Sequence, residues 1–123
     1  MAITFTTEKL QGLEGTAISG VYGRIQSVTV KKYDAYSTSD EDGVVNYPVS
    51  WKCLYDVVLH ASASVRNADG PGWGNRLRSR EIDHFTCIYD PTSNDNPYAQ
   101  AYADLKTRLA ADDPPIASSI ADA

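Results

Sequence analysis

The sequence predicts a mainly β fold: a small antiparallel β-sandwich or curled sheet with a long projecting hairpin and one C-terminal helix. Three observations carry this. From Tyr47 to Val65 every odd-numbered residue is apolar and most even-numbered ones are polar, the alternation of a strand with one buried and one wet face. Residues 67–75 (NADGPGWGN) are a dense set of turn formers, and a second alternating run follows them. Last, Tyr98, Tyr102, Leu105 and Leu109 recur at helical spacing behind Asn96-Pro97.

Taken in order, residues 1–16 (MAITFTTEKLQGLEGT) hold a short alternating piece around Ile3 and Phe5, then a stretch punctuated by glycine. They read as an edge strand or an arm that orders on a partner subunit. Residues 17–33 form a strand whose phase changes: Val21 and Ile25 share one parity, Val28 and Val30 the other. That predicts a β-bulge near Gln26-Ser27, or a bend at Gly20 or Gly23. Residues 34–46 (DAYSTSDEDGVVN) are a polar, acidic connection with Asp42-Gly43 as its turn signal.

The long alternating run would span roughly 60 Å at ~3.3 Å per residue. Its partner is the strand at about 76–89, which presents Phe85, Cys87 and Tyr89 on one face. A hairpin centred on Gly70 sets Trp51 opposite Tyr89, Cys53 opposite Cys87 and Tyr55 opposite Phe85. Such aromatic cross-strand pairs contribute roughly 0.2–1 kcal/mol each. Continued outward, the same register sets Val57 and Leu59 against Asp83 and Glu81. Burial should therefore fade toward a projecting tip that carries Trp73, leaving the Val57–Val65 half exposed for a partner. Asn96 caps the helix, Pro97 occupies its first position, and residues 112–115 (DDPP) stop it. The organisation expected is an arm or edge strand (1–16), a β domain closed by a helix at about 97–111 (17–111), and an extended tail (112–123), disordered or docked on another subunit.

The 123 residues fit one domain with a modest core, and 42% hydrophobic with 22% charged residues is ordinary for a globular chain. A formal charge of −5 argues against general nucleic-acid binding. Arg76, Arg78 and Arg80 cluster, but Glu81 and Asp83 follow them directly. No apolar run reaches the ~18–20 residues of a membrane span, and Met1-Ala2-Ile3-Thr4 begins no signal peptide.

Residue types with catalytic or metal-binding potential lack the patterns such chemistry needs. Cys53 and Cys87, set opposite one another, read as two small thiols on an apolar face, with no further ligands beside them. Asp56, His84 and Ser62 or Ser64 are the residue types of a hydrolase, but no nucleophile elbow accompanies them. His60 and His84 share the wetter face without a compact metal-ligand spacing. Asp40, Glu41 and Asp42 lack the alternate ligands of an EF-hand. Gly70–Gly74 holds no lysine and opens no helix, which excludes a phosphate-binding loop.

Three stretches carry a family likeness: "YDVVLHASASVR" at the end of the long strand, "REIDHFTCIYDPTSNDNP" at the end of the returning strand, and the amphipathic "YAQAYADLKTRL". Together, from Trp51 to Leu109, they resemble small structural proteins of tailed bacteriophages, in which a similar Tyr-rich "QAYxxLK" helix closes a small β domain. The resemblance covers about half of the chain. It implies a non-enzymatic virion component, made in the host bacterial cytoplasm, that needs no cofactor and works with copies of itself and other virion proteins. A tail, baseplate or fibre-attachment adaptor is the first expectation, and a capsid decoration (cement) protein the alternative. A tail position implies rings of the tail's symmetry, whereas a cement protein trimerises or bridges capsomers. Subunit contacts are expected at Ile3 and Phe5, at Leu59 on the exposed half-strand, and at Trp73 with Arg76, Arg78 and Arg80. Ile116 and Ile120 of the tail complete the set. A carbohydrate-binding module, with Trp73 stacking on a host surface glycan, is a reading from another class.

Overall fold

The computed structural model describes residues 1–62, 64 and 76–123. Its elements are β1 (Ile3–Thr7), β2 (Ile18–Tyr33), β3 (Tyr36–Asp40), β4 (Gly43–Tyr47), β5 (Ser50–His60), β6 (Arg76–Leu77), β7 (His84–Ile88), α1 (Pro97–Ala111) and β8 (Ala117–Asp122). The fold is mainly β, as the alternation predicts. Six strands form an antiparallel sheet in the order β6-β5-β2-β1-β8, with β7 pairing β5 as well, and β3 and β4 form a second, two-stranded sheet.

Helix α1 lies where the sequence puts it. The Asn96 side chain accepts a hydrogen bond from the Ala99 amide at 2.8 Å, and Pro97 opens the first turn. Ala101, Tyr102, Leu105 and Leu109 are buried, while Tyr98, at the stripe's N-terminal end, stays exposed. The helix packs on the sheet face that carries Val21, Ile25, Cys53, Tyr55, Val57 and Leu59. The buried Tyr102 hydroxyl accepts from the Ile25 amide at 2.8 Å and donates to the Met1 carbonyl at 2.6 Å, fixing helix to sheet.

The inner register of β5 and β7 agrees with the sequence reading: Cys53 lies opposite Cys87, Tyr55 opposite Phe85 and Asp56 opposite His84. The Tyr89 amide donates to the Trp51 carbonyl at 3.0 Å. The phase change in β2 is also present, because the β2–β5 register shifts between Ile25 and Ser27. Gly23 faces Leu59 on one side and Ile3 on the other. A Cβ there would stand 3.0 Å from the Phe5 ring, so the bare backbone is what lets that ring lie over the strand.

Four expectations are corrected. Residues 1–16 are neither arm nor edge: β1 is an inner strand with β2 on one side and β8 on the other, and Ile3 and Phe5 are each 1% exposed. The segment after β1 turns inward as well, burying Leu10 in the core. The tail is a strand of its own chain, since β8 pairs with β1 and Thr7 Oγ1 donates to the Ile116 carbonyl at 2.7 Å. The connection at 34–46 is the hairpin β3–β4, and the alternation beginning at Tyr47 is shared between β4 and β5.

The fourth concerns the outer half of β5. Val57, Val58, Leu59 and His60 are all buried, and Leu59 lies opposite Leu77, not Glu81. The Val57 amide still bonds the Asp83 carbonyl at 2.7 Å. Residues 78–82 therefore stand opposite Val58 alone, and the extruded segment folds Ile82 and Ser79 inward. A uniform register carried the acids onto the core face; the extrusion keeps them off it. His60, assigned to the wet face, is 0% exposed. The tip around Gly70 and Trp73 lies outside the described residues.

Candidate functional site

Two surfaces stand out, at opposite ends of β5. The first is the β3–β4 ribbon, which continues β2 and β5 beyond the sheet. Tyr33 lies opposite Ser50 and Tyr36 opposite Tyr47, so the register crosses the break at residues 34–35 and 48–49 unchanged. Pro48, which has no amide hydrogen to donate, sits in that break. From Ser50 to Gly43 the ribbon extends roughly 20–25 Å at ~3.3 Å per residue. Asp40 pairs with Gly43 across a two-residue turn of Glu41 and Asp42. The Asp40 carboxylate accepts from the Asp42 amide at 2.8 Å, and Gly43 takes a φ of 121° that favours glycine.

Every residue of β3 and β4 is exposed, yet the ribbon is rich in apolar side chains. Val44 is 67% exposed, Tyr36 57%, and Val45 and Tyr47 over two-fifths each. Tyr36 and Tyr47 stack across the strands with ring centroids 4.6 Å apart, and Ser37 Oγ donates to Asn46 at 2.6 Å. At the root, Lys32 lies over Trp51 and Lys52 over Tyr33, at 5.7 and 5.2 Å from the ring centroids. These contacts hold two strands together without covering them.

The second surface is a cavity of about 330 Å³ where residues 78–82 are extruded. Arg76, Arg78 and Arg80 line it, over an apolar floor that includes Val57, Leu77 and Ile82. The extrusion that buries Leu59 thus also brings the three arginines onto one pocket. A backbone bond from the Gln11 amide to the Arg78 carbonyl, at 2.7 Å, holds the rim. Two carboxylates share the lining: Asp56 accepts from Ser27 Oγ at 2.6 Å, and Asp83 lies 3.4 Å from His84 Nδ1. Arg78 and Arg80 are exposed and make no ion pair among the described residues.

A polar network lies under the helix. Tyr55 hydroxyl and Arg108 Nε both donate to Asp104 Oδ2 at 2.6 Å, and Arg108 also reaches the Thr86 carbonyl and covers the Phe85 ring. Burial, aided by the Asp104 charge, pushes the Tyr55 hydroxyl far above its ordinary pKa. Burial likewise pushes the Cys87 thiol up to about 12, and the Cys53 thiol is raised for the same first reason. Both cysteines are free thiols; held protonated, they are poor nucleophiles and poor metal ligands. This network clamps the helix to the sheet.

The hydrolase-like residues take other partners. His84 is exposed and turns to Asp83, Asp56 is engaged by Ser27, and His60 is buried at the Arg76 end of β5. Among the described residues no three His, Cys, Asp or Glu side chains are grouped to hold a metal ion, and no helix is long and apolar enough to cross a membrane.

Of the expected contact residues, Ile3, Phe5 and Leu59 belong to this chain's own core and are closed to a partner. Ile116 and Ile120 are half-buried against that same core. Arg76, Arg78 and Arg80 come together, and Trp73 lies outside the described residues. The ribbon residues were missed. Their signal was the alternation Tyr36, Thr38, Asp40 across a tight acidic turn from Gly43, Val45, Tyr47. Comparison with protein-family models, with curated proteins and with solved structures gives no match.

Proposed function

We propose that this chain is a non-enzymatic structural subunit of a tailed-phage virion, a tail, baseplate or fibre-attachment adaptor that uses the β3–β4 ribbon to grip its neighbour. The observation that carries the reading is the ribbon itself: two strands exposed at every residue and bearing Tyr36, Val44, Val45 and Tyr47. An isolated two-stranded hairpin is marginal in water. Apolar side chains on such an element gain stability only when something covers them. The strand–strand–helix segment from Trp51 to Leu109 adds its likeness to phage structural proteins.

Mass spectrometry of purified virions of a phage encoding this chain tests the role. The chain is expected at a fixed stoichiometry, and its absence from mature particles overturns the reading. The ribbon is tested in the same phage with Val44→Ser and Val45→Ser together. Particles should then lack the chain although the purified variant melts as the parent does. Normal incorporation of the variant would remove the ribbon from the contact.

A further inference from the structure

We propose that copies of this chain join head to tail, the acidic turn of Asp40, Glu41 and Asp42 in one copy seated in the arginine-lined pocket of the next. The inference rests on the assembly role above and names the ribbon's partner as a second copy of the chain.

Charge and reach carry it. The pocket holds three guanidinium groups, while its two carboxylates are already turned to Ser27 and His84. Arg78 and Arg80 have no carboxylate partner among the described residues. A planar guanidinium fork matches a carboxylate in bidentate fashion, and the charge-assisted bonds that result are short and strong. The ribbon turn offers the complement. Asp40 is used to brace the Asp42 amide, whereas the carboxylates of Glu41 and Asp42, on an exposed two-residue turn, make no hydrogen bond or ion pair among the described residues. A cavity of about 330 Å³ is at the small end of the ~300–1,000 Å³ range of ligand sites. It suits a turn carrying two carboxylates, and is too small for a folded domain.

The same geometry excludes pairing within one copy. From Gly43 to Val57 the chain runs along β4 and β5, roughly 45 Å at ~3.3 Å per residue, so the turn cannot fold back to its own pocket. Turn and pocket are different patches, so the contact is heterologous: it closes a ring if the rotation allows and otherwise continues as a filament. Ion pairs at an exposed rim weaken with salt, because the Debye length falls from ~10 Å at 0.1 M to ~3 Å at 1 M.

Analytical ultracentrifugation of the full chain and two charge-reversed forms tests the proposal. One form carries Glu41→Lys and Asp42→Lys, the other Arg78→Glu and Arg80→Glu; all four positions are exposed, and circular dichroism melts check that each form folds. The parent should sediment as oligomers that dissociate in high salt. Each variant alone should associate at least tenfold more weakly. Mixed one to one, the two variants should associate again as alternating oligomers, because the intact turn meets the intact pocket and the reversed turn meets the reversed pocket. A chain with all four substitutions should associate again. Unchanged self-association of either variant overturns the proposal, as does a parent that stays monomeric or a mixture that stays monomeric. If the reversals have no effect but Val44→Ser with Val45→Ser abolishes association, the ribbon reading stands and the acidic turn is discarded. Virion stoichiometry, measured separately, reports on the assembly role whatever the charge variants do.

Discussion

Strands β2 and β5 cross the middle of the sheet with Val21, Cys53 and Tyr55 at most 1% exposed, whereas β3 and β4, which prolong the same two strands in the same register, are exposed at every residue. Backbone pairing is equally complete in both halves. The difference lies in what stands over them. The inner half is covered by α1 on one face and by Leu10 and Ile82, which enter from loops; the outer half runs past all three. Hydrogen bonding sets where strands lie, and the layer packed on them sets which part becomes core. A single ribbon can thus be anchored at one end and offered to a partner at the other.

The comparison is broken most severely by removing the cover. Leu105 is fully buried at the centre of the helix stripe. Leu105→Ala should cost ~2–5 kcal/mol, the transfer term together with the cavity left behind, read as a drop in the urea midpoint at constant slope. A loss below ~1 kcal/mol would mean that α1 is not what buries the inner half. Gly23→Val comes next. Its Cβ would meet Phe5 at 3.0 Å and Leu59 at 3.4 Å, two side chains that are each 1% exposed. Overpacking of that kind typically costs ~1–3 kcal/mol, and the same denaturation series measures it.

The inner half also predicts a loss of stability in alkali. Cys87 is raised from 9.0 to about 12 by burial, followed by the charge of Asp104 and its contact with Cys53. A folded pKa above the unfolded one favours the protonated native state. The contribution is complete below pH 9 and is lost as pH rises toward 12. Cys87→Ala should flatten the melting temperature against pH across that window, and an unchanged slope would move the alkaline transition to the other buried groups whose pKa is raised, Cys53, Tyr55 and Tyr102. At pH 8 both thiols should react slowly with a disulfide reagent until the protein is unfolded.

Much of this inner half was legible in the sequence because its signals are local or mutually aligned. Asn96-Pro97 caps a helix over four spaced apolar residues. The Trp51, Cys53, Tyr55 series has only one face of residues 85–89 to match, and the parity change from Ile25 to Val28 requires a bulge. Strands β1 and β8 were not legible as partners. Each carries few apolar residues, and the bond between Thr7 and Ile116 joins positions 109 residues apart. The burial of Leu59 was hidden by the extrusion of residues 78–82, since a bulge so large leaves no parity mark within a run of Arg, Ser and Glu. The β3–β4 ribbon was hidden by composition: serine, threonine and aspartate write a loop unless a partner strand is known. The pocket that gathers Arg76, Arg78 and Arg80 followed from that unseen extrusion, although the three residues themselves were visible as a cluster.

The smallest expected effect is the most telling about the outer half. Val44 is 67% exposed and lies opposite Ser39 on a strand pair with no layer over it. Val44→Thr keeps the β-branch and the strand propensity, and removes apolar surface that this chain leaves in water. In the isolated protein the change should stay within ~0.5 kcal/mol of the parent, as for surface substitutions generally. Leu59→Ala, on the same continuous ribbon but beneath the helix layer, should instead cost ~2–5 kcal/mol. A Val44→Thr loss above ~1 kcal/mol would show that the ribbon is stabilised within the single chain, and the contrast between its halves would fall. A neutral result, combined with weaker association, makes Val44 a residue whose apolar surface serves the partner alone. The free energy that fold stability does not need at that position would then be realised only in the assembly.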